Sequence, residues 1–480
     1  MSANARPGTT IIGAGLVGSL LATLLAQRGF DVEVFERRPD PRVHGFLGGR
    51  SINLALAERG LGALREAGLE DAVLAQAVMM RGRMVHPLDG ETNLQRYGLD
   101  DTEVIRSVSR GSLNILLLDA AERAGARLHF DAALVDADFA SDTITLAGHD
   151  GATRTHAAGT LLGCDGAGSA LRAAMAKTAE LGERIESLGH GYKELEIPSL
   201  NLPSVALGPG QEPPSMAKSS MAGTTMERFA LEPHALHIWP RGNYMCIALP
   251  NNEGNFTVTL FLPGEGAFPS FATLPDTAAA HAFFKTQFAD ALALMPTFDA
   301  DWNAHPVGQL ATLYLDRWHL GGRAVLLGDA AHAIVPFHGQ GMNAGFEDAA
   351  ELASLLQEQA GDPDAAFAEF EHRRKPNADA IAAMSLANYV EMRDGVSDRH
   401  YLLKRELAAV LTERLPGRFM SRYRMVSFTS LPYAVCVARD REQTRLMESI
   451  LGDHDSLAGI DLNAAVSRMR GALPALPDGI

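Results

Sequence analysis

Three glycines near the start of the chain, Gly13, Gly15 and Gly18, have the spacing of a dinucleotide-binding turn. The first permits a tight turn, the second lets backbone approach a pyrophosphate, and the third allows close helix–strand packing. A helix that begins there directs its positive end at the phosphates. Glu36 follows at the distance where a carboxylate accepts hydrogen bonds from ribose, and Arg37 adjoins it. The pattern predicts FAD or NAD, because Glu36 would repel the 2′-phosphate of NADP.

Two later segments extend this site beyond an adenosine. An Asp-Gly motif at Asp165 follows an apolar strand, a Gly-Asp motif at Asp329 ends another, and the loop at 336–343 opens a helix. Asp329 is placed to hold the ribityl hydroxyls of a flavin. The N–H groups at the helix start would face the electron-rich edge of the flavin ring. Together these segments favour FAD over NAD.

The hydrophobic pattern predicts the elements that position these residues. Strands at 9–14 and 32–36 enclose a helix at 16–28, and stretches 143–147 and 155–162 are expected to form a hairpin. Alternating segments between 235 and 261 indicate an antiparallel sheet, a buried strand returns at 324–327, and helices dominate from 363. The expected fold class is α/β, with a Rossmann-like FAD-binding domain, an inserted antiparallel β-sheet substrate domain and a C-terminal helical region. The expected bounds are 1–75, 103–180 and 308–362 for the FAD-binding domain, 76–102 and 181–307 for the substrate-binding domain, and 363–480 for a helical cap.

Composition excludes several classes of protein. The formal net charge of -16 over 480 residues disfavours nucleic-acid binding, because phosphate backbones would be repelled. Cys164, Cys246 and Cys436 lie far apart, so we expect buried free thiols rather than a redox pair or a metal site. No signal peptide and no stretch of roughly 20 apolar residues is visible. We therefore expect a soluble cytoplasmic protein.

With the glycine turn, the Asp-Gly motif and the Gly-Asp motif in order, the chain resembles the group A flavoprotein aromatic hydroxylases over nearly its whole length. The resemblance implies that FAD stays bound, that NADPH reduces it transiently, and that O2 adds to form a flavin hydroperoxide. That species carries the chemistry, so no catalytic side chain is expected. Segments 49–56, 237–242, 337–348 and 388–394 are most similar to the kynurenine 3-monooxygenases of this family, which implies hydroxylation of L-kynurenine at ring position 3.

The resemblance also implies a set of site residues. The expected substrate-binding residues are Arg83, Tyr97, Asn388, Glu391, Met392, Tyr423, Phe256, Pro336, Phe337 and His338. The expected FAD-binding residues are Gly13, Gly15, Gly18, Glu36, Arg37, Ala55, Arg110, Leu134, Asp165, Asp329, Gly341, Met342 and Asn343. A guanidinium at position 83 suits the α-carboxylate of kynurenine, since the two can form a bidentate pair.

Each substrate-site assignment has a structural alternative. Arg83 could be a surface residue, Tyr97 and Tyr423 could be buried tyrosines with satisfied hydroxyls, and Phe256 could belong to the core. His338 is expected to shape the pocket only, because the amino group of the substrate ring drives hydroxylation.

Other functions remain open at this point. A hydroxylase of another aromatic acid would leave the carboxylate-binding set unexplained, and a flavin halogenase lacks its Trp-x-Trp-x-Ile-Pro segment here. A non-enzymatic protein on the same fold, as in prenyl-GTPase escort proteins, would have lost the flavin contacts. Some family members carry a C-terminal membrane anchor, whereas this chain ends at Ile480 in a polar tail, so a soluble bacterial-type form is expected, as a monomer or homodimer.

Overall fold

The computed structural model describes residues 8–45, 53–200, 228–359, 362–394 and 399–477. Its first part alternates strands with helices. In chain order these elements are β1 Thr9–Ile12, α1 Leu16–Gln27, β2 Val32–Phe35, α2 Pro41–His44, β3 Asn53–Leu56, α3 Glu58–Glu66, α4 Glu70–Leu74, β4 Val78–Met80, β5 Gly82–Val85, β6 Asn93–Arg96, β7 Ile105–Ser109, α5 Arg110–Ala124, β8 Arg127–His129, β9 Ala133–Asp138, β10 Thr143–Ala147, β11 Thr153–Ala157, β12 Thr160–Gly163 and α6 Ala170–Ala176.

The middle of the chain is mostly strand, and the last part is helical. The middle elements are β13 Arg184–Ile197, β14 Ala235–Pro240, β15 Met245–Pro250, β16 Phe256–Pro263, α7 Thr277–Gln287, α8 Ala289–Leu292, α9 Phe298–Ala304, β17 Gly308–Tyr314, β18 His319–Leu320 and β19 Ala324–Leu326. The last are α10 Asp329–His332, a 3-10 turn at Pro336–His338, α11 Gly341–Glu358, α12 Pro363–Asp394, α13 Arg399–Arg414, α14 Arg422–Phe428, α15 Tyr433–Leu451 and α16 Leu462–Ala472.

The glycine turn and both Asp motifs belong to one six-stranded sheet of order β18-β19-β12-β1-β2-β8. β1 pairs in parallel with β2 and β12, and β12 pairs in parallel with β19. The loops after β1, β12 and β19 therefore open at the same edge of the sheet. This confirms the predicted βαβ unit and the buried strand near 324, and it explains how three distant motifs reach one site.

The expected hairpin of 143–147 with 155–162 is correct only in its first half. β10 pairs with β11 in a small sheet, but β12 is a separate strand that lies between β1 and β19. The exposure changes at the break, since β11 is mostly exposed and β12 is mostly buried. The prediction treated residues 155–162 as one strand, although β11 and β12 belong to different sheets.

A seven-stranded sheet of order β17-β13-β16-β15-β14-β5-β6 separates two hydrophobic clusters. One face, with Trp239, Phe256 and Leu260, packs against α7, α8 and α9. The opposite face, with Ile238 and Phe261, packs against Phe337 of the loop at 336–343 (the flavin loop) and against Tyr389 of α12. The predicted antiparallel segments between 235 and 261 are confirmed, although β5 joins β14 in parallel.

Of the C-terminal helices, α12 packs into the cores of both large sheets, through Phe367 and Phe370 in the first and Tyr389 in the second. α12 lies against α11 and α15, and α14 lies against both α3 and α15. This confirms the predicted helical region and brings α14 close to the N-terminal half of the chain. No helix among the described residues has the length and apolar character needed to cross a membrane. The three cysteines are buried and free, as expected.

Candidate active site

The turn between β1 and α1 fits a pyrophosphate. Gly13 has a φ of +100°, and a Cβ there would lie 2.6 Å from the carbonyl oxygen of Cys164. A Cβ at Gly18 would lie 2.0 Å from the carbonyl oxygen of Gly13, so glycine is required for this packing. A Cβ at Gly15 would meet nothing within 4 Å. α1 therefore begins beside open space, where its first N–H groups can bind phosphate oxygens.

Glu36 lies after β2 with its carboxylate turned back towards this turn. Its Oε2 accepts a hydrogen bond from the backbone N–H of Ala14 at 2.8 Å, and its Oε1 accepts one from Arg38 at 3.0 Å. Each oxygen keeps a lone pair for a ribose hydroxyl. Arg37 is exposed beside it. A pocket adjoins the carboxylate, and its lining includes Ala14, Gly15, Glu36, Arg38, Pro39, Asn114 and Phe130.

The Asp-Gly motif after β12 has a mainly structural role. Asp165 Oδ1 accepts a hydrogen bond from the Ser169 hydroxyl at 2.5 Å, and its Oδ2 accepts from the N–H of Ala170 at 2.6 Å. The buried Arg172 donates to the carbonyl oxygen of Ala330 at 2.9 Å. The Asp165 carboxylate thus caps α6, and Arg172 ties α6 to the Gly-Asp motif. Direct binding of FAD by this carboxylate stays a prediction, since Oδ1 accepts a single hydrogen bond from the protein.

Asp329, in the Gly-Asp motif, is exposed at the first turn of α10. A Cβ on Gly341 would lie 4.0 Å from Asp329 Oδ1, so the carboxylate faces the start of α11. The motif is held from behind by the buried Asp348, which accepts hydrogen bonds from Gly328 N–H at 3.0 Å and His332 Nε2 at 2.6 Å. Burial opposes ionisation of Asp348, but His332 and Arg374 hold its pKa at about 2.

Asn343 joins the flavin loop to β3. Its Nδ2 donates to the carbonyl oxygen of Ala55 at 2.8 Å, and its Oδ1 accepts from the N–H of Ala57 at 2.9 Å. The amide is fully buried and is used by the protein. Its side chain therefore fixes the backbone of Gly341 and Met342 at the start of α11, where N–H groups are available to a flavin.

Arg83, Tyr97 and Tyr423 come together from β5, the loop after β6, and α14. The Arg83 guanidinium lies 5.7 Å from the centroid of the Tyr97 ring and 5.2 Å from that of Tyr423. The two rings stack at 5.1 Å with an interplanar angle of 20°. Both distances are within the range of a cation–π contact. The negative charge of Glu391 favours the charged form of Arg83 and raises its pKa. Glu391 itself pairs with Arg422 at 2.7 Å.

Burial sets the protonation states around this cation. It raises the pKa of the Tyr97 and Tyr423 hydroxyls, so both remain neutral hydrogen-bond donors. His338 stacks on Tyr423 with ring centroids 5.6 Å apart. Burial, aided by the charges of neighbouring arginines, lowers the pKa of His338 to about 3. Tyr97, Tyr423 and His338, which stack on one another beside Arg83, are therefore neutral.

Phe337 forms the apolar side of the site, and Asn388 holds it in place. Asn388 Nδ2 donates to the carbonyl oxygen of Phe337 at 2.6 Å, which ties α12 to the flavin loop. The Phe337 ring lies 4.4 Å from that of Tyr389 and 5.1 Å from that of Phe261. Pro336 is exposed beside them. The side chain of Met392 lies outside the described residues.

The sequence matches the FAD binding domain family over residues 8–204 and 285–385. It is 53% identical over 477 residues, 99% of both chains, to a kynurenine 3-monooxygenase of Stenotrophomonas maltophilia. It is 52% identical to a kynurenine 3-monooxygenase of Xanthomonas axonopodis pv. citri, over 97% of this chain and 96% of the other. This chain belongs to the kynurenine 3-monooxygenase family. It is an FAD-dependent flavoprotein monooxygenase.

Solved structures agree on the fold of this kynurenine 3-monooxygenase family member. 2-Methyl-3-hydroxypyridine-5-carboxylic acid oxygenase has a TM-score of 0.63 at 20% identity, over 84% of this chain and 96% of the other. PqsL of P. aeruginosa, in complex with 2-aminobenzoylacetate, has a TM-score of 0.60 at 22% identity, over 81% and 97%. At these identities the likeness supports the α/β architecture alone.

The expected substrate-binding residue Phe256 lies away from the group around Arg83, and the expected FAD-binding residues Leu134 and Arg110 lie on β9 and α5. Phe256 is on the opposite face of the large sheet, where it meets Phe229 edge-on at 5.7 Å. Core packing therefore replaces its expected pocket role. Leu134 is buried in β9 of the three-stranded sheet, within the hydrophobic core that also includes the six-stranded sheet. Arg110 begins α5 and lies near Tyr192 of β13. Burial raises the pKa of Tyr192, and the positive charge of Arg110 partly offsets that rise.

Several residues that build this family's site here were not anticipated from the sequence. The most direct is the ion pair of Glu103 with Arg424, which lies beside the two stacked tyrosines. The buried Arg59 donates to the carbonyl oxygen of Val426 in α14 at 2.8 Å. No local sequence pattern marks the Glu103–Arg424 pair or Arg59 as part of the site. The one available signal was a charged residue surrounded by apolar residues in the sequence.

Proposed function

We propose that this protein hydroxylates ring position 3 of L-kynurenine. The overall reaction converts L-kynurenine, NADPH, H⁺ and O2 into 3-hydroxy-L-kynurenine, NADP⁺ and water. The observation that carries the substrate assignment is the guanidinium of Arg83 beside the stacked rings of Tyr97 and Tyr423. Within the described residues this cation has no ion-pair partner of its own, and an α-carboxylate would supply one.

The substrate-binding residues would orient kynurenine rather than react with it. Arg83 would pair with the α-carboxylate, and the neutral hydroxyls of Tyr97 and Tyr423 would donate hydrogen bonds to the same oxygens. Phe337 would bound the aromatic ring, and Asn388 would hold Phe337 in place. Glu391, which neutralises Arg422, would leave the charge of Arg83 to the substrate.

FAD, once reduced by NADPH, supplies the activated oxygen when it is bound. The residues that would hold it are those of the glycine turn, with Glu36 at the ribose and Asp329 at the ribityl chain. Gly341, Met342 and the carbonyl of Ala55 would surround the flavin ring. The neutral His338 and the packed ring of Phe337 would keep water and stray protons from the reacting carbon.

Other features remain proposals. We infer three structural parts with the boundaries given above, cytoplasmic location, and a monomer or homodimer. The net charge of -16 supports the absence of a nucleic-acid partner.

NADPH oxidation by the purified holoenzyme tests the proposed function. L-Kynurenine should accelerate the oxidation, and the product should be heavier by one oxygen atom. Hydroxybenzoate and salicylate serve as matched aromatic acids without an α-amino acid group, and neither should be hydroxylated. If kynurenine gains no oxygen while another acid does, the substrate assignment is wrong. A purified protein that releases no flavin on denaturation would instead indicate a binding protein.

A further inference from the structure

An ion pair joins the two segments that carry the stacked tyrosines. Arg424 donates to Glu103 through Nε at 2.8 Å and through Nη2 at 2.5 Å, a bidentate arrangement. The side chains are only 11% and 19% exposed. A bidentate Arg–carboxylate pair is directional and is stronger than an exposed pair. This contact therefore fixes the distance and angle between the two segments.

The pair is connected to both tyrosines, on one side through the sequence and on the other through packing. Tyr423 immediately precedes Arg424 on α14. On the other segment, Glu103 Oε2 also accepts a hydrogen bond from the N–H of Leu99 at 2.9 Å. A Cβ on Gly98 would lie 2.1 Å from Glu103 Cβ, so the glycine next to Tyr97 is packed directly on Glu103. A displacement of either charge would thus be transmitted to a tyrosine.

The other ion pairs of α14 connect it to helices and not to the segment that carries Tyr97. Arg422 binds Glu391 at 2.7 Å on α12 and Asp440 at 3.4 Å on α15. Those bonds hold α14 to its neighbouring helices, whereas Arg424 reaches the loop between β6 and β7, which carries Tyr97. By contrast, Asp101 in the same loop pairs with Arg81 at 3.1 Å and Arg96 at 2.5 Å and is 55% exposed. These exposed pairs do not involve α14.

We propose that Glu103 and Arg424 are positioning residues that hold the Tyr97–Tyr423 stack on Arg83 and so set the affinity for the substrate carboxylate. The proposal rests on the proposed function, because it takes an α-amino acid as the substrate. Neither residue takes part in the oxygen transfer. Loss of the pair should therefore weaken binding of substrates that have the carboxylate and spare those that lack it.

Equilibrium binding and steady-state kinetics of the holoenzyme test this inference. Glu103→Gln and Arg424→Gln should each raise the Kd and KM for L-kynurenine about tenfold with kcat little changed. The double variant E103Q/R424Q should be no worse than either single variant, because the same contact is lost. The charge exchange Glu103→Arg with Arg424→Glu should recover part of the affinity. Asp101→Asn is the matched control and should leave Kd unchanged.

Kynuramine, the decarboxylated analogue of kynurenine, separates the outcomes. Its kcat/KM should be the same in the wild type and in Glu103→Gln. An equal loss for kynuramine and kynurenine would overturn the carboxylate-positioning role, since it would indicate a general loosening of the cap. Unchanged binding of kynurenine in both single variants would also overturn it. Failure of the wild type to bind kynurenine would instead reject the proposed function.

Discussion

At the scale of single residues, the guanidinium of Arg83 has no carboxylate partner among the described residues. It lies beside two stacked tyrosine rings and near a Glu391 that Arg422 neutralises. Under the proposed function an entering anion would supply the partner, so most of the binding energy of this cation would be reserved for a substrate carboxylate. The neutral state of His338 removes a competing charge.

Arg83→Ala should therefore weaken kynurenine binding by about 2–4 kcal/mol, because a carboxylate is left without its charge partner. FAD should remain bound, since the residues at the flavin end are not touched. Arg83→Lys is the control: it keeps the charge but loses the planar fork, and it should retain part of the affinity. Titration of the holoenzyme with kynurenine measures both. An unchanged Kd in Arg83→Ala would remove Arg83 from the site.

At the scale of elements, the start of α11 is held by contacts with β3 and α3. Asn343 bonds to the backbone on both sides of Leu56, and Gly60 of α3 leaves the room for it. A Cβ on Gly60 would lie 2.4 Å from Asn343 Oδ1. The flavin loop therefore depends on a glycine nearly three hundred residues earlier in the chain.

Gly60→Ala should displace Asn343 and loosen the loop at Gly341, at a cost of about 1–3 kcal/mol. We expect FAD affinity, measured from the quenching of flavin fluorescence, to fall about tenfold or more. Gly62→Ala on the same helix is the matched control, because a Cβ there would meet nothing within 4 Å. It should be neutral or slightly stabilising, since alanine favours a helix. Equal FAD affinity in the two variants would contradict the role of Asn343.

Local patterns predicted some of these elements and missed others. The βαβ unit lies within 27 residues of chain from Thr9 to Phe35, so its glycines, helix and acid could be found from spacing. Alternation in β16 showed which residues share a face, but not that α7–α9 cover the face of Phe256. Segment 155–162 was assigned to one strand because a local pattern does not identify the sheet that each half joins. Glu103 and Arg424 are 321 positions apart, and only the folded chain brings them together.

At the scale of the whole molecule, Arg59 connects the FAD-binding part to the C-terminal helices. Its side chain is fully buried, pairs with Glu347 at 3.0 Å and lies 3.9 Å from the centroid of the Tyr433 ring. It also donates to the carbonyl oxygens of Val426 in α14 and of Leu431 in the link between α14 and α15. Tyr433 in turn donates to Gln340 of the flavin loop at 2.8 Å. The guanidinium of Arg59 thus contacts both α11 and α14 and fixes their relative positions.

Arg59→Met should cost about 3–5 kcal/mol, because it removes one of the two arginines that pair with Glu347 and leaves two carbonyl oxygens without this donor. We expect amide hydrogen exchange to accelerate in α14 and α15 while α1 stays protected, since the cap is released before the sheet unfolds. Arg65→Gln on the same helix is the control. It breaks only exposed pairs with Glu58 and Glu70 and should change little. Faster exchange throughout the chain would show that Arg59 supports the fold as a whole rather than the docking of the cap.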